Sequence, residues 1–137
     1  MAMIRTMAVV VFLLAQTAVA ASAATCAGAN PAITKVAVQS VTSDGKLNQY
    51  HIVGTVVNFG SQTQPSNTLQ FVDIWQYGIR LDAKSIRPLA PLQSATFTYT
   101  WPRSVEAAKG TSVLNFRIRM EQGSDCNPAN GSYNLTL

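Results

Sequence analysis

The stretch "VVNFGSQTQPSN", residues 56–67, stops an alternating apolar run at Asn58 and Gly60 and continues through turn-forming residues. Upstream, "QYHIVGTVVN" (49–58) alternates apolar and polar positions, the period of a half-buried β-strand. Downstream, Pro65, Ser66 and Asn67 lead into "LQFVDIWQY" (69–77), rich in β-branched and aromatic residues. The stretch is therefore a corner between two strands, with Gly60 expected to use a positive φ. A binding loop is the other reading of such a turn, but as a corner it marks the fold, and a site is expected just beyond it, on the strand it leads into.

Outward from this corner the same pattern repeats. "ITKVAVQSV" (33–41), a weaker "IRLDAKSI" (79–86), "SATFTYTW" (94–101), "SVLNFRIRM" (112–120) and "SYNLTL" (132–137) complete seven candidate strands. Helical periodicity is not sustained anywhere in 24–137; "SVEAAKG" allows one helical turn before Gly110. "SDGK" (43–46) is a compact turn, and the two prolines of "RPLAPLQS" (87–94) keep that connection out of both sheets. Strands at near-regular spacing between turn signals predict an all-β fold, an immunoglobulin-like antiparallel β-sandwich of about seven strands.

The period of two assigns the faces. Ala95, Phe97, Tyr99 and Trp101 point inward, as do Leu114, Phe116, Ile118 and Met120, with Arg117 and Arg119 outward. Tyr50, Ile52 and Val56 join them, thinned by Gly54, together with Tyr133, Leu135 and Leu137.

The first residues have another character. Arg5 precedes an apolar run, 7–15, and small residues offering "AVA" (18–20) and "ASA" (21–23) as cleavage sites. This is the layout of a secretory signal peptide, assigned to 1–23, with 24–137 a single domain. The apolar run is too short to span a bilayer, which takes roughly 20 residues. Nothing in 24–137 reads as a membrane span, so the expected location is periplasmic or secreted.

Charged residues make up 12% of the chain, against roughly 25% in an ordinary globular domain. Of ten Lys and Arg, Arg5 lies in the signal, leaving nine against six acids. So mild an excess, without a basic run, argues against a nucleic-acid partner. Two cysteines, Cys26 and Cys126, would meet an oxidising compartment, where an even count argues for a disulfide. A lipid-modified Cys26 is the rival, but Ala23 and Thr25 stand where such signals usually place Leu and a small residue.

The chain from about Ile33 to the end resembles the CARDB family, the cell-adhesion-related domain of bacteria. The residues that carry this are Asn58-Phe59-Gly60, then Trp75-Gln76-Tyr77-Gly78, then Leu89-Ala90-Pro91 before "SATFTYTW", and the polar "SDCNPANGSYNLTL". Two features depart from the family: Leu92 stands where Gly is common, and the cysteine pair is unusual. The resemblance implies an immunoglobulin-like sandwich acting in extracytoplasmic binding or adhesion, with no catalytic residue to carry over.

The residues themselves point the same way. His51 is the sole histidine and falls on the solvent face of its strand, and the six acids are scattered, so no nucleophile–base or acid–base couple is evident. Asp125, Asn127 and Asn130 lie close together, but a calcium loop would alternate its oxygens and end in a bidentate Glu. An Asx-rich turn fits them better, and no cofactor or metal is called for. "NGS" (130–132) and "NLT" (134–136) match the glycosylation pattern incidentally.

The strand 69–77 is the informative one. If Phe71, Asp73, Trp75 and Tyr77 faced inward, Asp73 would be buried at a cost of several kcal/mol unless paired. If Val72 and Ile74 face inward, the other four form an outward strip; the resemblance favours this register. Arg117 and Arg119 would flank it from the neighbouring strand. Phe71, Asp73, Trp75, Tyr77, Arg117 and Arg119 are thus the candidate binding face, or else cross-strand pairs covering a solvated sheet. The expected role is a non-catalytic binding or adhesion module for a protein or glycan partner. The alternative is an assembly or chaperone-like subunit whose sheet edge accepts a partner's strand.

Overall fold

The computed structural model describes residues 26–137; the proposed signal peptide, residues 1–23, lies outside them. Seven strands follow in order: β1 Pro31–Ser43, β2 Leu47–Asn58, β3 Leu69–Gln76, β4 Ile79–Ile86, β5 Ser94–Ser104, β6 Val113–Gln122 and β7 Ser132–Thr136. They form two antiparallel sheets, β1-β2-β5 and β4-β3-β6-β7. This is the expected all-β sandwich. The turn before Gly110 is a 3-10 turn, Ala107–Lys109.

The core is what the period of two assigns. Ile52 and Val56 of β2, Phe97 and Trp101 of β5, Val72 and Ile74 of β3, and Leu114 and Phe116 of β6 are buried between the sheets. Phe97 and Phe116 meet across the gap with ring centroids 5.9 Å apart. Gly54 is necessary here, because a Cβ would stand 2.0 Å from the tip of Phe97. Tyr50, Tyr99 and Ile118 pack against the core from partly buried positions.

The corner 56–67 proves to be the structural knot of one end. Asn58 is fully buried, and its side chain makes four hydrogen bonds. Oδ1 accepts from the backbone N–H of Asn30 and of Gly60, both at 2.9 Å. Nδ2 donates to the carbonyls of Gln62, at 2.9 Å, and Leu89, at 3.0 Å. Gly60 does not use a positive φ; the positive-φ glycines are 28, 45, 78 and 123. What demands glycine is proximity: a Cβ at Gly60 would lie 2.0 Å from the carbonyl oxygen of Gly28.

Beside this knot, Gln64 and Gln70 exchange paired amide hydrogen bonds at 2.8 and 2.7 Å, and Gln64 Oε1 also accepts from the N–H of Leu89. The fully buried Leu89 thus anchors the connection 87–93 through both flanks of the corner. Leu92 in that connection has φ +62° and is exposed. A non-glycine residue in left-handed geometry costs about 1–2 kcal/mol, which gives a physical reason for glycine at this position in the family it resembles. Leu92→Gly is expected to raise stability by about 0.5–1 kcal/mol, since glycine's greater unfolded-state freedom offsets part of the relief. Chemical denaturation of the two proteins checks the sign.

The disulfide joins Cys26 to Cys126 with Cα atoms 5.8 Å apart. Around it the N-terminal segment is held along its length: Cys126 N–H donates to Ala29 O at 2.9 Å, and Phe59 N–H to Asn30 O at 2.9 Å.

Each sheet edge carries a feature that discourages further pairing. The inner face of β4 bears Asp82 and Lys84, opposite Ile74 and Val72, as an ion pair at 3.1 Å. β5 contains Pro102, β1 has two register irregularities, and β7 is five residues long.

Candidate functional site

The outer face of the four-stranded sheet holds five of the six predicted residues, with Tyr77 in the hairpin at its end, and the register explains how. Val72 and Ile74 are buried inward, so Phe71, Asp73 and Trp75 project from the opposite face. β6 lies beside β3 with Phe71 opposite Arg119, Asp73 opposite Arg117 and Trp75 opposite Asn115. β4 lies on the other side, with Arg80 opposite Trp75.

The face divides into two parts. In the first, Asp73 is outward-pointing yet buried, 3% exposed, because Arg119 closes over it. The guanidinium donates to both carboxylate oxygens, Nε to Oδ2 at 2.7 Å and Nη2 to Oδ1 at 3.2 Å. It also lies over the ring of Phe71, 4.6 Å from its centroid, and donates through Nη1 to Glu121. The hydrogen bond to Asp73, and then that to Glu121, hold the Arg119 guanidinium above its ordinary pKa. Arg80 Nη1 approaches Asp73 Oδ2 at 3.8 Å, a second positive neighbour. This half is a closed network rather than an open strip, because a forked, charge-assisted pair holds the carboxylate and burial shields it from a ligand.

In the second part Trp75, Tyr77, Gly78, Val113, Asn115 and Arg117 line a depression of about 430 Å³. Tyr77 is not a strand residue. With Gly78 it forms the two-residue link between Gln76 and Ile79, at φ +50° and +76°. Positive φ at both central residues is the type I′ hairpin geometry, in which Asn-Gly is the favoured pair. Tyr77 is 79% exposed. Arg117, though opposite Asp73, forms no ion pair with it; its Nε donates to Asn115 Oδ1. Asn115 in turn donates to Asn134 Oδ1 and to Ser132 Oγ, at 3.2 Å for the latter. Trp75 is half-buried, and among the described residues guanidinium stacking falls on Phe71 and on Trp101 instead.

Of the six predicted residues, the depression gathers Trp75, Tyr77 and Arg117, beside Val113 and Asn115, which the predicted set lacks, and Arg80 stands opposite Trp75 on β4. The legible signal was Tyr77-Gly78 itself. A two-residue link between the strands sets the hairpin register, and the register brings Arg80 opposite Trp75. The single irregularity between Ile74 and Trp75, where Leu81 is extra, lies beyond pattern reading.

Two other regions carry candidate polar groups. His51 lies on the outer face of the three-stranded sheet, its ring nitrogens 3.3 and 3.4 Å from the hydroxyls of Thr42 and Thr100. Asp125 Oδ1 accepts from the N–H of Asn127 at 3.0 Å, which makes the segment an Asx turn. Burial raises the Asp125 pKa, partly opposed by that hydrogen bond. Met120, expected inward, is only half-buried, near the end of β6 beside the register irregularity at Leu69 and Gln70.

No family model and no curated protein matches the chain. Among solved structures it is similar to the crystal structure of the CARDB domain of a Pyrococcus furiosus protein in complex with di-metal ions. That likeness has 19% identity and a TM-score of 0.61, covering 85% of this chain and 92% of that one. A solution NMR structure of the same CARDB domain matches at 19% identity and a TM-score of 0.55, covering 79% of this chain and 94% of that one. The di-metal ions belong to that protein. Among the described residues here no three of His, Cys, Asp and Glu converge, so those side chains do not fit such a pair. Also among the described residues, no helix is long and apolar enough to cross a membrane. The fold is that of the family which the Asn58-Phe59-Gly60 corner resembles, and the domain is CARDB-like.

Proposed function

We propose that this CARDB-like domain is a non-catalytic binding or adhesion module of the periplasm or cell exterior. It captures a protein or glycan partner on the outer face of its four-stranded sheet. The observation that carries the proposal is the depression around Trp75, where Tyr77 stands exposed in a left-handed conformation beside Arg117. Exposed aromatics with a guanidinium and an anchored amide are the residue types that recognition surfaces concentrate. The disulfide supports an oxidising location.

The sheet-edge alternative finds less support. Its accepting strand would need an open ladder, and the four edges carry an inward ion pair, a proline, irregular register or short length.

The test is affinity capture from the native envelope with the protein and its Trp75→Ala and Arg117→Ala variants. Each variant is expected to lose most of the captured partner while its melting temperature moves by only a few degrees, since both residues lie outside the core. Full capture by both variants would overturn the assignment of the face. A collapse in stability would show Trp75 to be structural.

A further inference from the structure

Resting on the binding role proposed above, we infer that the depression takes an acidic polysaccharide, one whose sugar rings carry carboxylates. The first ground is Tyr77. Left-handed geometry costs a tyrosine about 1–2 kcal/mol relative to a residue at home there. At 79% exposure the ring recovers little of that by packing. What the residue provides is an aromatic surface on the rim. Trp75, a half-buried neighbour on the wall, provides a second. Flat aromatic faces with a polar edge suit the C–H faces of sugar rings, and tyrosine and tryptophan give that area at low conformational cost.

The second ground is charge. A guanidinium has five N–H donors. Among the described residues Arg117 has no carboxylate within 4.0 Å, and its one hydrogen bond goes to Asn115. Asp73, opposite Arg117 in the register, and Glu121, on the same strand, are both held by Arg119. On the other side of Trp75, Arg80 is half-exposed and reaches only an Asp73 already gripped. Arg117 lines the depression with Trp75, and Arg80 stands opposite Trp75 on β4, so the strands on both sides of β3 carry guanidinium donors to spare, which suit carboxylates.

The third ground is shape. The depression is within the roughly 300–1,000 Å³ of small-ligand sites, and Val113 is the one aliphatic residue in its lining. A protein hot spot would offer a larger apolar centre. A second depression, about 340 Å³, shares Tyr77 and lies against Trp101, Arg103 and Ser112. Tyr77 is therefore a ridge between two hollows, as an extended polymer would require.

The probes are polygalacturonate and alginate, each in native and carboxyl-reduced form, with polyglutamate as a sugar-free polyanion. The purified protein is expected to bind at least one native polymer and to discriminate against its reduced form and polyglutamate. Arg117→Gln should weaken that binding about tenfold. Tyr77→Asn should weaken it comparably with no fall in melting temperature, because asparagine suits the turn. Equal binding of the reduced polymer, or of polyglutamate, overturns the inference. So does absence of polymer binding: if Trp75-dependent envelope capture persists, the binding role stands with another partner, and if capture also fails, both fall.

Discussion

Asn58→Ala is expected to lower stability by about 3–5 kcal/mol, enough to unfold much of the protein at 37 °C, given a total of roughly 5–15 kcal/mol. The substitution removes one side chain but leaves three backbone groups without a partner, the N–H of Asn30 and Gly60 and the carbonyl of Gln62, while the carbonyl of Leu89 keeps only the N–H of Gln64. Each buried unpaired group costs about 1–3 kcal/mol, less where water can enter. Three separate segments lose a common anchor at once, namely the N-terminal strap, the corner and the connection carrying Leu89. Asn58→Asp distinguishes hydrogen bonding from size, because it keeps the acceptor and loses both donations. Its loss should be as large, since a buried carboxylate then faces two carbonyl oxygens. Urea denaturation measures both. A loss under 1 kcal/mol for Asn58→Ala would mean that the segments are held elsewhere.

Reduction of Cys26–Cys126 is expected to cost about 2–5 kcal/mol, and Cys126→Ser the same. The loop it closes is 100 residues long. Nearly the whole domain lies inside that loop, so the constraint acts on nearly all of the unfolded chain. The bond also secures the strap that Asn58 holds from the other side, through Asn30. The two sites should therefore couple. After reduction, Asn58→Ala should cost measurably less than it does in the oxidised protein, because the strap is partly released already. Simple additivity in a double-mutant cycle would show that they act on separate structures. Chromatography with and without reductant, alongside thermal unfolding, follows both effects.

Much of this was legible in the residues. All seven strands were readable because alternation survives wherever one face of a sheet is buried, and Phe97, Phe116 and Ile52 mark that face plainly. The orientation of β3 was legible from Asp73, since an unpaired inward carboxylate is too costly between sheets. Its actual surroundings were not. Asp73 is outward and still buried, because the long side chain of Arg119 lays its own apolar stem and fork across it. Pattern reading assigns a side chain to a face but cannot say what lies on top of it. Arg103 makes the same point: on the end of β5 it is buried over Trp101 and donates to the carbonyls of Ala107 and Gly110, both at 2.7 Å. Nothing in its sequence neighbourhood marks it.

For the candidate site the division is sharper. Trp75, Tyr77 and Arg117 were identifiable as an exposed aromatic group with a nearby cation. Their separation from Phe71, Asp73 and Arg119 came from the arrangement of three strands. The corner 56–67 shows the same limit from the other direction. As sequence it announced the end of one strand and the start of another, and its Asn-x-Gly pattern marked a turn. It did not reveal that Gly60 is required by the carbonyl of Gly28, a neighbour 32 residues away. Local sequence determined the elements, their faces and the export-compatible cysteine pair, because periodicity and turn chemistry act over a few residues. Tertiary structure decided which polar groups are satisfied and which remain free to meet a partner, because hydrogen bonds and ion pairs are closed by residues far apart in the chain.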